Sequence, residues 1–209
     1  MMTGRHDDAI LHLRKKDRIL RRVIDAAGPC TLKPRRDRFW MLVCSILSQQ
    51  LSTKSAETIR NRVDAALEAR TPQALAKLSP AALRGCGVSP QKLGYLNDLC
   101  HSVLEGRVDL KRINRKSDEE VIEELIQIKG IGRWTAHMFL MFSLGRPDVF
   151  PVGDLGVKMA IRDLYEFAEM PSDDEAHAIA APWRPFASVA SWYCWRSLDL
   201  KKLAKAAAK

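Results

Sequence analysis

The chain has 209 residues, with 34 Lys and Arg against 25 Asp and Glu, and carries a formal charge of +9. With 46% hydrophobic and 28% charged residues, a chain of this length buries roughly 70% of the surface its unfolded form exposes, which excludes disorder, a collagen-like repeat and a disulfide-dependent scaffold. The excess of cations points to a polyanion, nucleic acid or an anionic membrane surface, and charge alone does not choose between them.

The opening MMTGRHDDAI is polar and charged, unlike a secretory leader. Arg14, Lys15, Lys16, Arg21 and Arg22 fit the solvated face of a helix. Phe39 to Leu47 is the longest apolar run, and nine residues with Ser45 among them fall far short of a bilayer span, so no membrane location is expected. Ile59, Val63, Ala66 and Leu67 then step by three and four, as on one helix face. Thr71-Pro72, Ser79-Pro80 and Ser89-Pro90 each place a capping hydroxyl before a proline, which suits the first helical position because no N–H is needed there. Behind the third pair, Leu93, Leu96, Leu99 and Val103 repeat the helical spacing, and Gly106 ends that helix. Ser117 with Glu120 and Ser172 with Glu175 are capping boxes. The tail from Lys201, KKLAKAAAK, reads as a fraying helix end. No stretch alternates with period two, so the expectation is an all-α protein of about ten helices joined by short loops.

The five cysteines, Cys30, Cys44, Cys86, Cys100 and Cys194, never come closer than 14 positions. That spacing makes neither a CxxC zinc or redox pair nor a compact four-cysteine iron–sulfur loop, and it reads as reduced thiols of a cytosolic protein.

The segment with most chemical content is Leu125 to Ala136 (LIQIKGIGRWTA), placed between a capped helix and the apolar run Met138 to Leu144. Two glycines one residue apart, Gly130 and Gly132, permit a tight turn with positive φ and the close approach of another backbone. The helix beginning just after them offers free N–H groups to a phosphate oxygen, a contact that reads no base sequence. A bare Gly-x-Gly also serves as an ordinary helix–turn–helix corner. Asp154 closes Phe150-Pro-Val-Gly-Asp154 and is placed to cap a helix beginning near Leu155. A carboxylate at a helix N-terminus is favoured as the anion.

Over twelve positions, Leu125 to Ala136 resembles the helix-hairpin-helix of the DNA glycosylase superfamily. The family's second signature, a Gly/Pro-rich loop ending in aspartate, is matched by Phe150 to Asp154, and Ile46 to Ser52 (ILSQQLS) extends the similarity, which runs from roughly residue 39 to 195. The chain is most similar to the 3-methyladenine DNA glycosylase II, or alkylation-repair, branch. The resemblance implies two α-helical lobes with the active site in the cleft between them, and no N-terminal β domain. One lobe would run from about 50 to 155, the other would come from the N- and C-terminal segments, and the hairpin would span about 118 to 144.

What the resemblance implies for the site can be named residue by residue. Asp154 becomes the catalytic carboxylate, and its charge suits a bond cleavage in which C1′ becomes cation-like as the base departs. It either stabilises that cation or orients the attacking water. Trp134 stands where lyase-competent branches carry a catalytic lysine. Without that amine no Schiff base forms, and the reaction stops at an abasic site. Such an enzyme flips its base out of the stack. Gln50 matches the wedge position, although relatives carry Leu there. Trp134 and Trp192 match aromatic pocket positions, whose electron-rich faces attract a cationic methylated purine. Pocket tyrosines of relatives are replaced by Met138 and Leu155, which leaves the pocket less aromatic. Lys129, Gly130, Gly132 and Arg133 fall at hairpin positions that hold DNA. The carbonyls of Ile126, Ile128 and Ile131 match those that hold a monovalent cation, Na or K.

The expectation is a monofunctional glycosylase that releases 3-methyladenine and 7-methylguanine from double-stranded DNA. It would need no cofactor and no general acid, since a cationic base leaves readily; His137 packs or bonds locally. It would work as a monomer, cytoplasmic at the nucleoid in a bacterium or nuclear in a eukaryote. The same residues also fit a glycosylase for hypoxanthine, ethenoadenine or oxidised guanine, and the hairpin alone fits a non-catalytic DNA-binding protein.

Overall fold

The computed structural model describes residues 6–207. Among them there are twelve α-helices and no strand. The chain divides into two compact units: a central one, Pro34–Leu144, and a discontinuous one made of residues up to Lys33 and from Gly145 onward. The expected lobe of 50 to 155 thus gives way to a unit of 34 to 144, which takes in the apolar helix at its start and leaves Asp154 in the other unit.

The central unit holds α3 (Arg38–Ser48), α4 (Thr53–Ala66), α5 (Pro72–Lys77), α6 (Pro80–Gly85), α7 (Pro90–Leu104), α8 (Asp118–Leu125) and α9 (Arg133–Phe139). Phe39, Trp40, Leu42, Val43, Ile46 and Leu47 are all buried on α3, so this helix is apolar on more than one face and forms the unit's axis, packed on α4, α7 and α9. Thr71, Ser79 and Ser89 cap α5, α6 and α7 through their hydroxyls, each with proline at the start of the helix. Gly106, just past α7, has φ +76°. Ser117 and Glu120 form the capping box of α8. Beyond α9 the backbone widens into one π turn, Leu140–Leu144, a local distortion that recurs at functional sites.

The discontinuous unit holds α1 (Asp7–Lys16), α2 (Arg18–Ala27), α10 (Leu155–Leu164), α11 (Asp173–Ala180) and α12 (Ala187–Ala207). Its core gathers Leu13, Leu20, Val23, Val157, Ile161, Trp183 and Tyr193. Asp17 breaks the chain between α1 and α2 and organises this core. Its Oδ1 accepts the N–H groups of Ile19 and Leu20 at 2.9 Å, while its Oδ2 accepts Trp183 Nε1–H at 2.8 Å and the Tyr165 hydroxyl at 2.5 Å. Burial and the bond to Asp17 push the Tyr165 phenol far above its ordinary range. Four donors on one buried carboxylate meet the requirement that a charge taken out of water be fully hydrogen-bonded. The tail expected to fray is helical through Ala207 as the end of α12.

Candidate active site

The turn joining α8 to α9 is built by two short-range bonds, Ile128 N–H to the Leu125 carbonyl at 3.1 Å and Ile131 N–H to the Ile128 carbonyl at 3.0 Å. Gly130 sits there at φ +82°. A Cβ on it would stand 2.3 Å from Tyr95 Cδ2, so this position needs glycine both for its backbone and for the ring of α7 laid against it. Gly132 differs from the expectation of two positive-φ glycines. It is the extended N-cap of α9, at φ −100°, and a Cβ there would meet nothing within 4 Å. The space in front of Gly132 is open, and it caps α9 without a side chain, as a surface approached by another molecule's backbone would require. Lys129 is exposed, and its N–H donates to Asp98 Oδ2 at 2.7 Å. Arg133 is engaged by both oxygens of Glu119 on α8 at 2.8 Å, so its guanidinium lies along the hairpin rather than reaching outward alone.

The loop after α3 is fastened to this hairpin. Gln49 donates its amide N–H to the Gly130 carbonyl at 2.7 Å, and Lys92 donates to the carbonyls of Leu47 and Gln49, both at 2.8 Å. Partial burial lowers the Lys92 pKa from its usual value. These bonds brace Gln50, which is exposed at φ +56°, a conformation that a residue with a side chain holds only when its surroundings fix it. Gln50 and Trp134 line the same cavity, about 950 Å³, with Trp40, Met41, Cys44, Ser45, Ser48 and Phe142 and with Arg35, Arg36, Arg60 and Arg70. Trp134 is 47% exposed, so about half of its indole stays open to solvent. Arg70 is held by Asp64 at 2.7 and 2.8 Å and lies over the Trp40 ring at 5.1 Å. Against four guanidinium groups, this cavity's lining has one carboxylate, Asp37.

In the discontinuous unit the loop from Phe150 turns through Asp154 N–H bonded to the Pro151 carbonyl at 2.8 Å, which delivers Asp154 to the start of α10. Asp154 is buried, 8% exposed, and caps the helix by accepting Val157 N–H on Oδ1 at 2.8 Å. The same oxygen accepts the indole N–H of Trp195, also at 2.8 Å. The sequence gives little sign of Trp195's part; only the tryptophan richness of Trp192-Tyr-Cys-Trp195 hints at it. Trp192 is half-buried against the core, edge-on to Tyr193 at 4.9 Å between centroids, with the Arg196 guanidinium 6.0 Å from its ring. Of the two positions that replace tyrosines, Met138 is buried and Leu155 is 66% exposed. Burial and the nearby Arg133 hold the His137 imidazole below its usual pKa, which keeps it neutral near pH 7.

Backbone carbonyls are neutral hard oxygens, the ligand type suited to an alkali cation. The Ile128 carbonyl accepts Ile131 N–H at 3.0 Å, and a carbonyl oxygen has two lone pairs. The donor chemistry at Ile126, Ile128 and Ile131 therefore fits such an ion.

A family model described as HhH-GPD superfamily base excision DNA repair protein matches residues 43–185. The chain is 32% identical over 204 residues to DNA-3-methyladenine glycosylase 1 of Schizosaccharomyces pombe, covering 94% of this chain and 90% of that protein. Among solved structures it is similar to a DNA-3-methyladenine glycosidase from Bacillus halodurans, at 37% identity and TM-score 0.81, covering 90% of this chain and 88% of the other. It is also similar to the Schizosaccharomyces pombe 3-methyladenine DNA glycosylase in complex with abasic DNA, at 32% identity and TM-score 0.81, covering 90% and 95%.

Proposed function

The chain belongs to the HhH-GPD superfamily of base excision DNA repair proteins, and from that premise we propose that it hydrolyses the N-glycosidic bond of alkylated purines in double-stranded DNA, 3-methyladenine and 7-methylguanine above all, leaving an abasic site. The observation that carries the reading is Asp154: a buried carboxylate, oriented by two donors on one oxygen, at a helix N-terminus. Fixed negative charge is what a departing base requires, because positive charge develops on the sugar as the bond to nitrogen lengthens. A methylated purine is already cationic and leaves without protonation, so a neutral His137 is no obstacle.

Gln50, braced by Lys92 and Gln49, fills the gap in the stack. Trp134 and Trp192 offer aromatic faces to the extruded base. The N–H groups at the start of α9, with Gly130, Gly132 and Lys129, hold phosphate oxygens, and Arg133 reaches a phosphate by exchanging its bond to Glu119 for one to the DNA. A Na or K ion on the carbonyls of Ile126, Ile128 and Ile131 would supply one further positive charge toward the DNA. Trp134 provides no amine, so the strand is left uncut. The protein acts as a monomer and without another cofactor, where the cell keeps its DNA: the nucleoid of a bacterium or the nucleus of a eukaryote. No described helix is long and apolar enough to cross a membrane.

Arg35, Arg36 and Arg60 around the cavity, beyond the Asp64-paired Arg70, favour a second reading of substrate range. A cationic base is repelled by them, whereas a neutral base with carbonyl and ring-nitrogen acceptors, such as hypoxanthine or oxidised guanine, is attracted. Chromatography of bases freed from methylated duplex DNA, followed by a panel of single-lesion duplexes, tests both readings. Release of 3-methyladenine supports the first, release of neutral bases alone supports the second, and release of none from any duplex overturns both.

A further inference from the structure

We infer that Trp195 is a positioning residue for the reaction, holding the Asp154 carboxylate in its working orientation; the inference rests on the reading of Asp154 as the catalytic carboxylate. A helix cap needs only one donor, and the Val157 N–H supplies it. The indole N–H of Trp195 is a second donor on the same Oδ1, reaching from α12 across 41 positions of sequence. Each added donor narrows the swing of a carboxylate about its Cβ–Cγ axis. Two bonds to Oδ1 from different directions help to set the plane of the group, and with it the position of Oδ2, before any DNA arrives. Such preorganisation is what electrostatic stabilisation of a transition state depends on.

The local sequence is arranged around this contact. Residue 156, in the first turn of α10, is glycine, a poor helix former. A Cβ there would lie 3.0 Å from Trp195 Cδ1, 3.2 Å from its Nε1 and 3.1 Å from Asp154 Oδ1. Gly156 therefore leaves the space through which the indole reaches the carboxylate. The remainder of the Trp195 ring packs against the core that holds Ala160 and Cys194, which sets its angle of approach.

The test uses the full chain and single-turnover base release from methylated duplex, with affinity for abasic-site duplex measured beside it. Trp195→Phe keeps an aromatic ring and removes the N–H. The expected result is a single-turnover rate lower by about tenfold, the usual scale for one hydrogen bond to a charged group, with affinity unchanged within about twofold. Wild-type rate in Trp195→Phe beside an inactive Asp154→Asn overturns the positioning role and leaves the reading of Asp154 standing. Full activity of Asp154→Asn overturns that reading and the inference with it. Parallel losses of rate and affinity in Trp195→Phe mark a structural role and also overturn it. A measurement independent of that variant's folding is the indole N–H resonance of Trp195 by NMR: it moves on Asp154→Ala if the bond exists in solution, and a resonance that stays in place refutes the contact.

Discussion

The two hairpin glycines, one residue apart, should both matter for DNA binding, but only one of them for stability. At Gly130, alanine must adopt φ +82° and place its Cβ 2.3 Å from the Tyr95 ring. The left-handed backbone costs about 1–2 kcal/mol for a residue with a side chain, and displacing a packed ring adds about 1–3 kcal/mol. The sum is roughly 2–5 kcal/mol, or a fall in melting temperature of about 5–15 °C for a chain of this size. The shift of Tyr95 and of the Gly130 carbonyl also disturbs the Gln49 bond, so DNA affinity falls as well. At Gly132 the backbone is ordinary and the space is open, so alanine or even leucine leaves the melting temperature within about 2 °C. A large side chain there nevertheless stands in front of the N–H groups of α9 and weakens binding to every DNA sequence alike, because phosphate contacts carry no base information. Thermal unfolding by circular dichroism and fluorescence-anisotropy titration with two unrelated duplexes make the comparison. A Gly132→Leu variant as destabilised as Gly130→Ala, or one that loses affinity for one duplex only, would refute the assignment of the two glycines to fold and interface.

Asp17→Ala removes a helix cap and strands the donors of Trp183 and Tyr165, so urea titration should show a loss of about 3–5 kcal/mol; a loss under about 1 kcal/mol would contradict the role given to this carboxylate. His137 titrates below its usual 6.5 in the folded chain because burial resists the charge. Its contribution to stability is therefore full above the unfolded value and lost as pH falls through the folded one. His137→Gln should flatten the decline between neutrality and about pH 5, and an unchanged slope would count against the buried neutral imidazole. Lys92→Met frees the carbonyls of Leu47 and Gln49; base release should slow by about tenfold and the melting temperature fall by about 2–10 °C, whereas an unaltered rate would show that Gln50 needs no bracing.

The helix starts were legible because their signals are local. Thr71, Ser79, Ser89, Ser117 and Ser172 each bond within three residues of themselves, and such spacing is written directly in the chain. The helix count rises from about ten to twelve, in part because the basic stretch expected to lie on one helix face is split at Asp17, with Arg14, Lys15 and Lys16 on α1 and Arg21 and Arg22 on α2. Gly130 behaves as its spacing suggests, and Gly132 does not, since the residue between them already completes the turn. The contacts that organise the site escaped the sequence for one physical reason: they join distant positions without any repeating pattern. Gln49 meets Gly130 across 81 positions, Trp183 meets Asp17 across 166, and Trp195 meets Asp154 across 41. Family resemblance marked Asp154 and Trp134, but the bracing of Gln50, the arginine-lined cavity and the second donor on Asp154 emerged only with side chains in place.

If the Asp154 carboxylate carries the chemistry and other residues carry the binding, one substitution separates the two. Single-turnover release of 3-methyladenine by wild type and by Asp154→Asn, with the affinity of each for the same duplex, tests it most directly. Asp154→Asn should bind within about threefold of wild type and lose base release by at least about a hundredfold, the scale on which one preorganised electrostatic contact acts. Base release by Asp154→Asn at an undiminished rate would contradict it.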